Sequence, residues 1–259
     1  MNNVRKTAKV QTLARKRNIV PLMSIQDVIH TRGKIVDDKP DMIKIKLNRK
    51  LIDDLKDIYD ASERDESEYI GAVRVTHSGK GLVKFSTPTK HTNRQKLYVI
   101  PPANIRNDMI VYHSHPIPKD SGLPRSLVTL PSTPDIRYYL ESYPTLQANI
   151  ILERHGYYLI DVIETKMNNK PNPEVVRQTF YQLLQNKGMD QYMVPYMVGN
   201  VDIALINVSV KSWQDVMNMY IDKVMSHRFG VSIRYYRYSE LPEITLVNPL
   251  AVPVPMSVN

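Results

Sequence analysis

The apolar residues between positions 42 and 166 change their period along the chain, and the order of those changes limits the fold more than any other feature. "MIKIKL" at 42–47 alternates apolar and basic residues, the period of a strand. "NRKLIDDLKDIYDASE" then places Leu51, Ile52, Leu55, Ile58 and Tyr59 at helical spacing, with Asn48 as N-cap. Two β-rich runs flank His77-Ser78-Gly79-Lys80-Gly81, which predicts a hairpin. "KLYVIPP" and "DMIVYHSH" predict two further strands. "TPDIRYYLESYP" predicts a helix with Thr133 as N-cap and Pro134 in the first turn. "LQANIILERHGYYLIDVIET" predicts two strands around His155-Gly156. The expected fold class is α+β, with a mixed, mainly antiparallel sheet over residues 41–166.

The flanks read differently. Residues 1–40 form a basic arm in which "TLARKRNIVPLMSIQDVI" has room for a short helix, and "DDKPD" at 37–41 is a linker. After a second linker, "KMNNKPNPE", residues 167–259 predict a smaller α+β region. It holds a helix over "PEVVRQTFYQLLQNKG", a strand over "NVDIALINVSV" and a helix capped by Ser212 and stopped by Gly230. A strand, "VSIRYYRY", and a Pro-broken extended tail end it.

Composition removes several function classes. The chain has no cysteine, which excludes disulfides, thiolate metal sites and cysteine nucleophiles. A bound metal must use His, Asp or Glu. No apolar run reaches the roughly 18 residues of a membrane span, and "MNNVRKTAKV" lacks the apolar core of a secretory signal. An intracellular protein of cytoplasm or nucleus is the expectation, and the Asn207-Val208-Ser209 sequon then carries no meaning. Arg5, Lys6, Lys9, Arg15, Lys16, Arg17, Arg32 and Lys34 stand against Asp27 alone within residues 1–34. That segment holds most of the chain's +9 charge. Such an arm binds nucleic acid or an acidic partner surface, or is simply solvated.

The residue pattern with most chemistry lies at the end of a strand. His113 and His115 are two apart, so on a strand both rings face one side. Pro116 ends the strand beside a loop. Asp135 offers a third ligand, and three protein ligands leave a fourth position open, as in catalytic zinc sites. Two His and one Asp are also compatible with other divalent metals. Asp120 competes with Asp135 for the third place. A carboxylate that takes a proton from water is also needed; Glu68 fits, with Glu66 on the same strand face as competitor. Ser132 can donate a hydrogen bond to a developing oxyanion.

Taken together, Glu68-Tyr69-Ile70-Gly71, His113-Ser114-His115-Pro116 and Ser132-x-x-Asp135 resemble the JAMM motif of the MPN-plus (Mov34/JAB-like) metalloproteases. The resemblance covers about residues 42–165. It implies an MPN-like domain of the three-layer, cytidine-deaminase-like kind. It implies Zn²⁺ held by His113, His115 and Asp135, with Glu68 as general base and Ser132 as oxyanion donor. The implied activity is that of a zinc-dependent isopeptidase of deubiquitinase type, with ubiquitin or a ubiquitin-like conjugate as substrate. It favours Asp135 over Asp120, because Asp135 has the Ser-x-x context, and Glu68 over Glu66, because of its spacing to Gly71. One departure stands out: 19 residues separate His115 from Asp135, about twice the family's interval. The extra loop, 117–131, is expected to cover the site or meet a partner.

Other candidates are weaker. His77, His91 and His155 sit in expected turns and His227 near a helix end, where a positive charge suits the dipole. Met217, Met219 and Met225 fit helix packing. "RYYRY" at 234–238 suits either a nucleic-acid surface or an amphipathic strand. The competing function is a structural subunit of a large assembly, such as a virus particle, held to its neighbours by the basic arm and Pro-rich tail.

Overall fold

The computed structural model describes residues 30–38, 42–77, 82–89, 91–92, 109–117, 121–143, 146–162, 171–198 and 201–247. Its strands are β1 (His30–Asp38), β2 (Met42–Lys46), β3 (Tyr69–His77), β4 (Leu82–Ser86), β5 (His91–Thr92), β6 (Met109–Ser114), β7 (Val128–Thr129), β8 (Leu146–Leu152), β9 (Gly156–Val162), β10 (Met193–Val198), β11 (Val201–Ile206), β12 (Val231–Arg237) and β13 (Glu243–Val247). The helices are α1 (Arg49–Arg64), α2 (Thr133–Ser142), α3 (Pro173–Asn186), α4 (Val210–Val216) and α5 (Asp222–Phe229). The last two run on through a π-helical turn, Met217–Ile221, as one helical stretch.

The fold is α+β, as the sequence predicts, and is built on one large curled sheet. Its strand order is β12-β9-β8-β6-β3-β4-β1-β2-β13, with β5 also pairing β3. Among these pairs β6 and β8 run parallel. A parallel pair needs a crossover, and here it passes through β7 and α2. The N-terminus of α2 is thereby delivered beside the carboxyl end of β6, where His113 and His115 stand.

Both faces of the sheet are covered over β6, β8 and β9. On one, α1 buries Leu51, Ile52, Leu55 and Tyr59 against Val73, Ile110, Tyr112, Ile150 and Leu159. Asn48 caps that helix, accepting from Leu51 N at 2.9 Å. On the other, α2, α3, α4 and α5 bring Ile136, Tyr139, Phe180, Trp213 and Met225 onto Val111, Ile151, Tyr158 and Ile233. The curl nearly closes: Thr245 N of β13 donates to Asp161 Oδ2 of β9 at 2.7 Å, and Arg234 of β12 pairs with the same carboxylate at 2.7 Å.

Strands from both sides of the expected boundary at 166 share this sheet, because β12 pairs β9 and β13 pairs β2. The expected tail is extended where it is described but is part of the sheet: Ile244 and Leu246 alternate inward on β13, which pairs β2, while residues 248–259 lie outside the described residues. Residues 30–38, read as arm and linker, form β1; its charged residues mask the alternation. The helix expected within 12–29 and the strand expected over 96–102 lie outside the described residues.

A helix start, a helix end and a strand edge illustrate local control. Ser209 rather than Ser212 caps α4, accepting from Ser212 N at 3.1 Å. Gly230 ends α5 in the left-handed region at φ 71°, where glycine carries no Cβ penalty. The free edge of β12 is capped by side chains: Tyr235 N donates to Asn218 Oδ1 at 2.7 Å, Ile233 N to Asp222 Oδ1 at 2.9 Å and Arg237 N to Glu240 Oε2 at 2.7 Å. An edge filled in this way cannot accept another strand. Most of "RYYRY" serves internal contacts, while Arg237 is exposed. Arg234 holds Asp161, Tyr235 donates to the buried Glu153, and Tyr236 packs on Tyr157.

Candidate metal centre

Antiparallel register places the histidines. Ile70 stands opposite His113 and Ala72 opposite Val111, so these four share a face. His115 N donates to Leu152 O at 2.8 Å. That bond keeps the chain in strand geometry past the end of β6, and His115 stays on the His113 face. Ser114 between them points the other way and is fully buried; its Oγ accepts from Tyr69 N at 2.8 Å.

Asp135 enters from α2. Ser132, not Thr133, is the N-cap, because the Ser132–Asp135 pair forms a capping box. Ser132 N donates to Asp135 Oδ2 at 2.6 Å, and Asp135 N donates to Ser132 Oγ at 3.3 Å. The reciprocal bonds turn the Asp135 carboxylate back over the helix start, towards β6.

Three side chains therefore converge. His113 Nε2 lies 2.9 Å from Asp135 Oδ1, His115 Nε2 lies 3.4 Å from Asp135 Oδ2, and the two ring nitrogens are 3.1 Å apart. The side chains are only 13%, 11% and 10% exposed for His113, His115 and Asp135. This group can hold a metal ion.

The local electrostatics favour a cation. Burial opposes a charge on His115, but the Asp135 carboxylate, the Glu68 charge and a hydrogen bond to the Leu130 carbonyl raise its pKa from 6.5 to about 9. Asp135 is also buried, yet the two imidazoles hold its carboxyl well below the usual range. With Nε2 facing the centre, Nδ1 of His115 is left to donate to Leu130. That is the arrangement that orients ligating histidines in metal sites.

Glu68 belongs to the same face. Continuing the β3–β6 register two residues beyond Ile70 and His113 sets Glu68 opposite His115. Glu68 is half-buried and its charge acts on His115. Glu66 is exposed, in a turn with φ 48°, and off the strand. Asp120 lies outside the described residues. Ser132 spends a lone pair on the helix cap and keeps its O–H proton for donation.

The long loop is folded rather than loose where it is described. Val128 and Thr129 form β7, which pairs with β11 in a three-stranded sheet of order β10-β11-β7. Tyr158 Oη donates to Thr129 O at 2.8 Å, Leu130 N to Ala204 O at 2.9 Å, and His155 Nε2 lies 2.9 Å from Arg125 O. His155 thus anchors the loop instead of standing free in a turn. Ile117, Leu127 and Leu205 close a small apolar cluster beneath it. The loop in this way fixes the Leu130 carbonyl that orients His115. No family model, curated protein or solved structure matches the chain.

The other expected sites resolve as structure. Met217 and Met225 are buried, whereas Met219 is 73% exposed. His227 sits in the last turn of α5 and is exposed. His77 and His91 fall on strands β3 and β5 rather than in turns. Two residues of the motif have supporting roles that the sequence pattern does not assign. Ser114 could have been noticed as the inward-facing middle of His-x-His. Gly71 allows a close approach, since a Cβ there would overlap the Thr89 carbonyl and the Tyr112 ring.

Proposed function

We propose that the chain is a zinc-dependent isopeptidase of the JAMM/MPN-plus kind, acting on ubiquitin or a ubiquitin-like conjugate. The observation that carries this reading is the convergence of two Nε2 atoms and one carboxylate from a strand end and a helix start, with the Glu68 charge acting on His115. The donor set fits zinc. Ligands about 2.0–2.1 Å from a tetrahedral ion stand about 3.3 Å apart, and the ligand atoms here are separated by 2.9–3.4 Å. A zinc ion held there would supply the Lewis acidity that makes water a nucleophile at neutral pH.

The chain's own groups supply the rest. Glu68 accepts the proton of the attacking water and returns it to the leaving lysine amine. The Ser132 O–H donates to the oxygen of the attacked carbonyl as charge builds on it. Ser114, through Tyr69 N, fixes the start of β3 and with it the Glu68 backbone. The low exposure of the three ligand side chains strengthens every charge interaction among them.

The test uses the full chain, loaded with zinc, and Lys-linked di-ubiquitin. The wild type is expected to cleave it. Glu68→Gln is expected to keep its zinc and lose about 10²–10⁴-fold in rate, the usual contribution of a general base. A Glu68→Gln protein that cleaves at the wild-type rate contradicts the mechanism. Zinc binding without any cleavage favours the scaffold role instead.

A further inference from the structure

The outer face of β4, β1 and β2 carries charge that the metal centre does not use. Arg32, Lys34, Lys44, Lys46 and Lys84 are all exposed on it, while Gly33, Ile43, Ile45, Val83 and Phe85 face inward. The register sets like against like: Lys34 stands opposite Lys46, and Arg32 opposite Lys84. Directly opposed side chains have Cβ atoms about 4.5–5.5 Å apart, where like charges destabilise a sheet. Acid enters along the β13 side and at one end of β1, with Glu243 standing opposite Lys46. Asp37 is in register with Lys44, and Glu243 pairs with Lys44 at 3.8 Å. Arg32, Lys34, Lys46 and Lys84 have no ion-pair partner among the described residues.

We propose that this face binds the phosphodiester backbone of a double-stranded nucleic acid. A linear polyanion relieves the cross-strand repulsion that the sheet otherwise carries. The sequence continues the same charge: Arg5, Lys6, Lys9, Arg15, Lys16 and Arg17 precede His30, the first residue of β1. Duplex is favoured over single strand because stacking of unpaired bases needs exposed aromatic rings. Val36 is the one exposed large apolar residue of this face among the described residues. A lone valine also gives a bilayer nothing to take up beyond charge. Binding is therefore read through phosphate, without sequence preference.

The experiment follows the fluorescence anisotropy of a short labelled duplex DNA of mixed sequence as the full chain is added, from about 50 to 200 mM salt. The wild type is expected to bind, with affinity falling steeply as salt rises. Lys34→Ala/Lys46→Ala is expected to lower the log–log salt slope by about 1.8, at about 0.9 per lost phosphate contact. Its melting temperature should change little, because the Lys34 repulsion and the Glu243 neighbour of Lys46 are lost together. Arg32→Gln/Lys84→Gln provides an independent pair with the same expectation. Lys211→Ala, which removes an exposed lysine paired with Asp215 on α4, should leave the slope unchanged. The proposal is overturned if the wild type does not bind duplex, or if both double variants bind with unchanged affinity and slope. Tighter binding to phosphatidylserine vesicles or to single-stranded DNA than to the duplex also overturns it.

Discussion

Asp135 has two separable duties, closing the cap of α2 and completing the metal group, and substitutions can part them. Asp135→Asn keeps an oxygen that can accept from Ser132 N, so the cap survives while the anionic ligand is lost. Ser132→Ala does the reverse: Asp135 N loses its acceptor at 3.3 Å, and the ligand carboxylate stays. Loss of an N-cap costs about 1 kcal/mol, and for a chain of this size that lowers the melting temperature by about 2–4 °C. Zinc at 100 times its dissociation constant stabilises the native state by about 2.7 kcal/mol, a rise of roughly 5–10 °C on the same scale. Thermal unfolding is then recorded for each protein after EDTA treatment and after zinc addition. The wild type shows the full zinc-dependent rise. Ser132→Ala starts lower but rises as far, whereas Asp135→Asn also starts lower, having lost the carboxylate that pairs with both imidazoles, and barely rises. If Asp135→Asn keeps the full rise, Asp135 is not a ligand and the reading of the site fails.

Further expectations concern the same centre and its supports. In the metal-free protein His115 is held up to about 9, so its contribution is complete below about pH 6.5 and is lost as pH rises through 9. The lowered Asp135 adds stability above its ordinary 3.8 and loses it on acidification. Melting temperatures of the EDTA-treated protein should therefore fall between about pH 6.5 and 9, while the gain from zinc, which needs neutral imidazoles, grows over that range. Gly71→Ala should destabilise the protein by about 1–3 kcal/mol or more in urea unfolding, because the methyl overlaps backbone at Thr89 rather than a movable side chain. Asn218→Ala removes the partner of Tyr235 N and of Tyr235 O. About 2 kcal/mol of stability should be lost in the same assay, and light scattering should show more aggregation from the opened β12 edge.

The sequence carried the site more openly than the architecture. The His113 and His115 pair was legible because a two-residue period and Pro116 mark a strand end, and Ser132-x-x-Asp135 because it doubles as a capping signal. The sharing of one sheet by residues before and after 166 was not legible, since pairing of β12 with β9 and β13 with β2 leaves no local trace. β13 is short and framed by prolines, so its Ile244 and Leu246 alternation read as tail. β7 is two residues long, and only its partner β11 and the hydroxyl of Tyr158 make it a strand. The π-helical turn at Met217–Ile221 likewise answers to the β12 edge it covers, through Asn218 and Asp222, rather than to its own propensities.

The most direct test of the central claim is an anomalous difference map at the zinc edge from crystals of the zinc-loaded protein. A single peak between His113 Nε2, His115 Nε2 and Asp135, about 2.0–2.2 Å from each, is the predicted result. Zinc bound elsewhere, or a map with no peak at these three side chains, would contradict it.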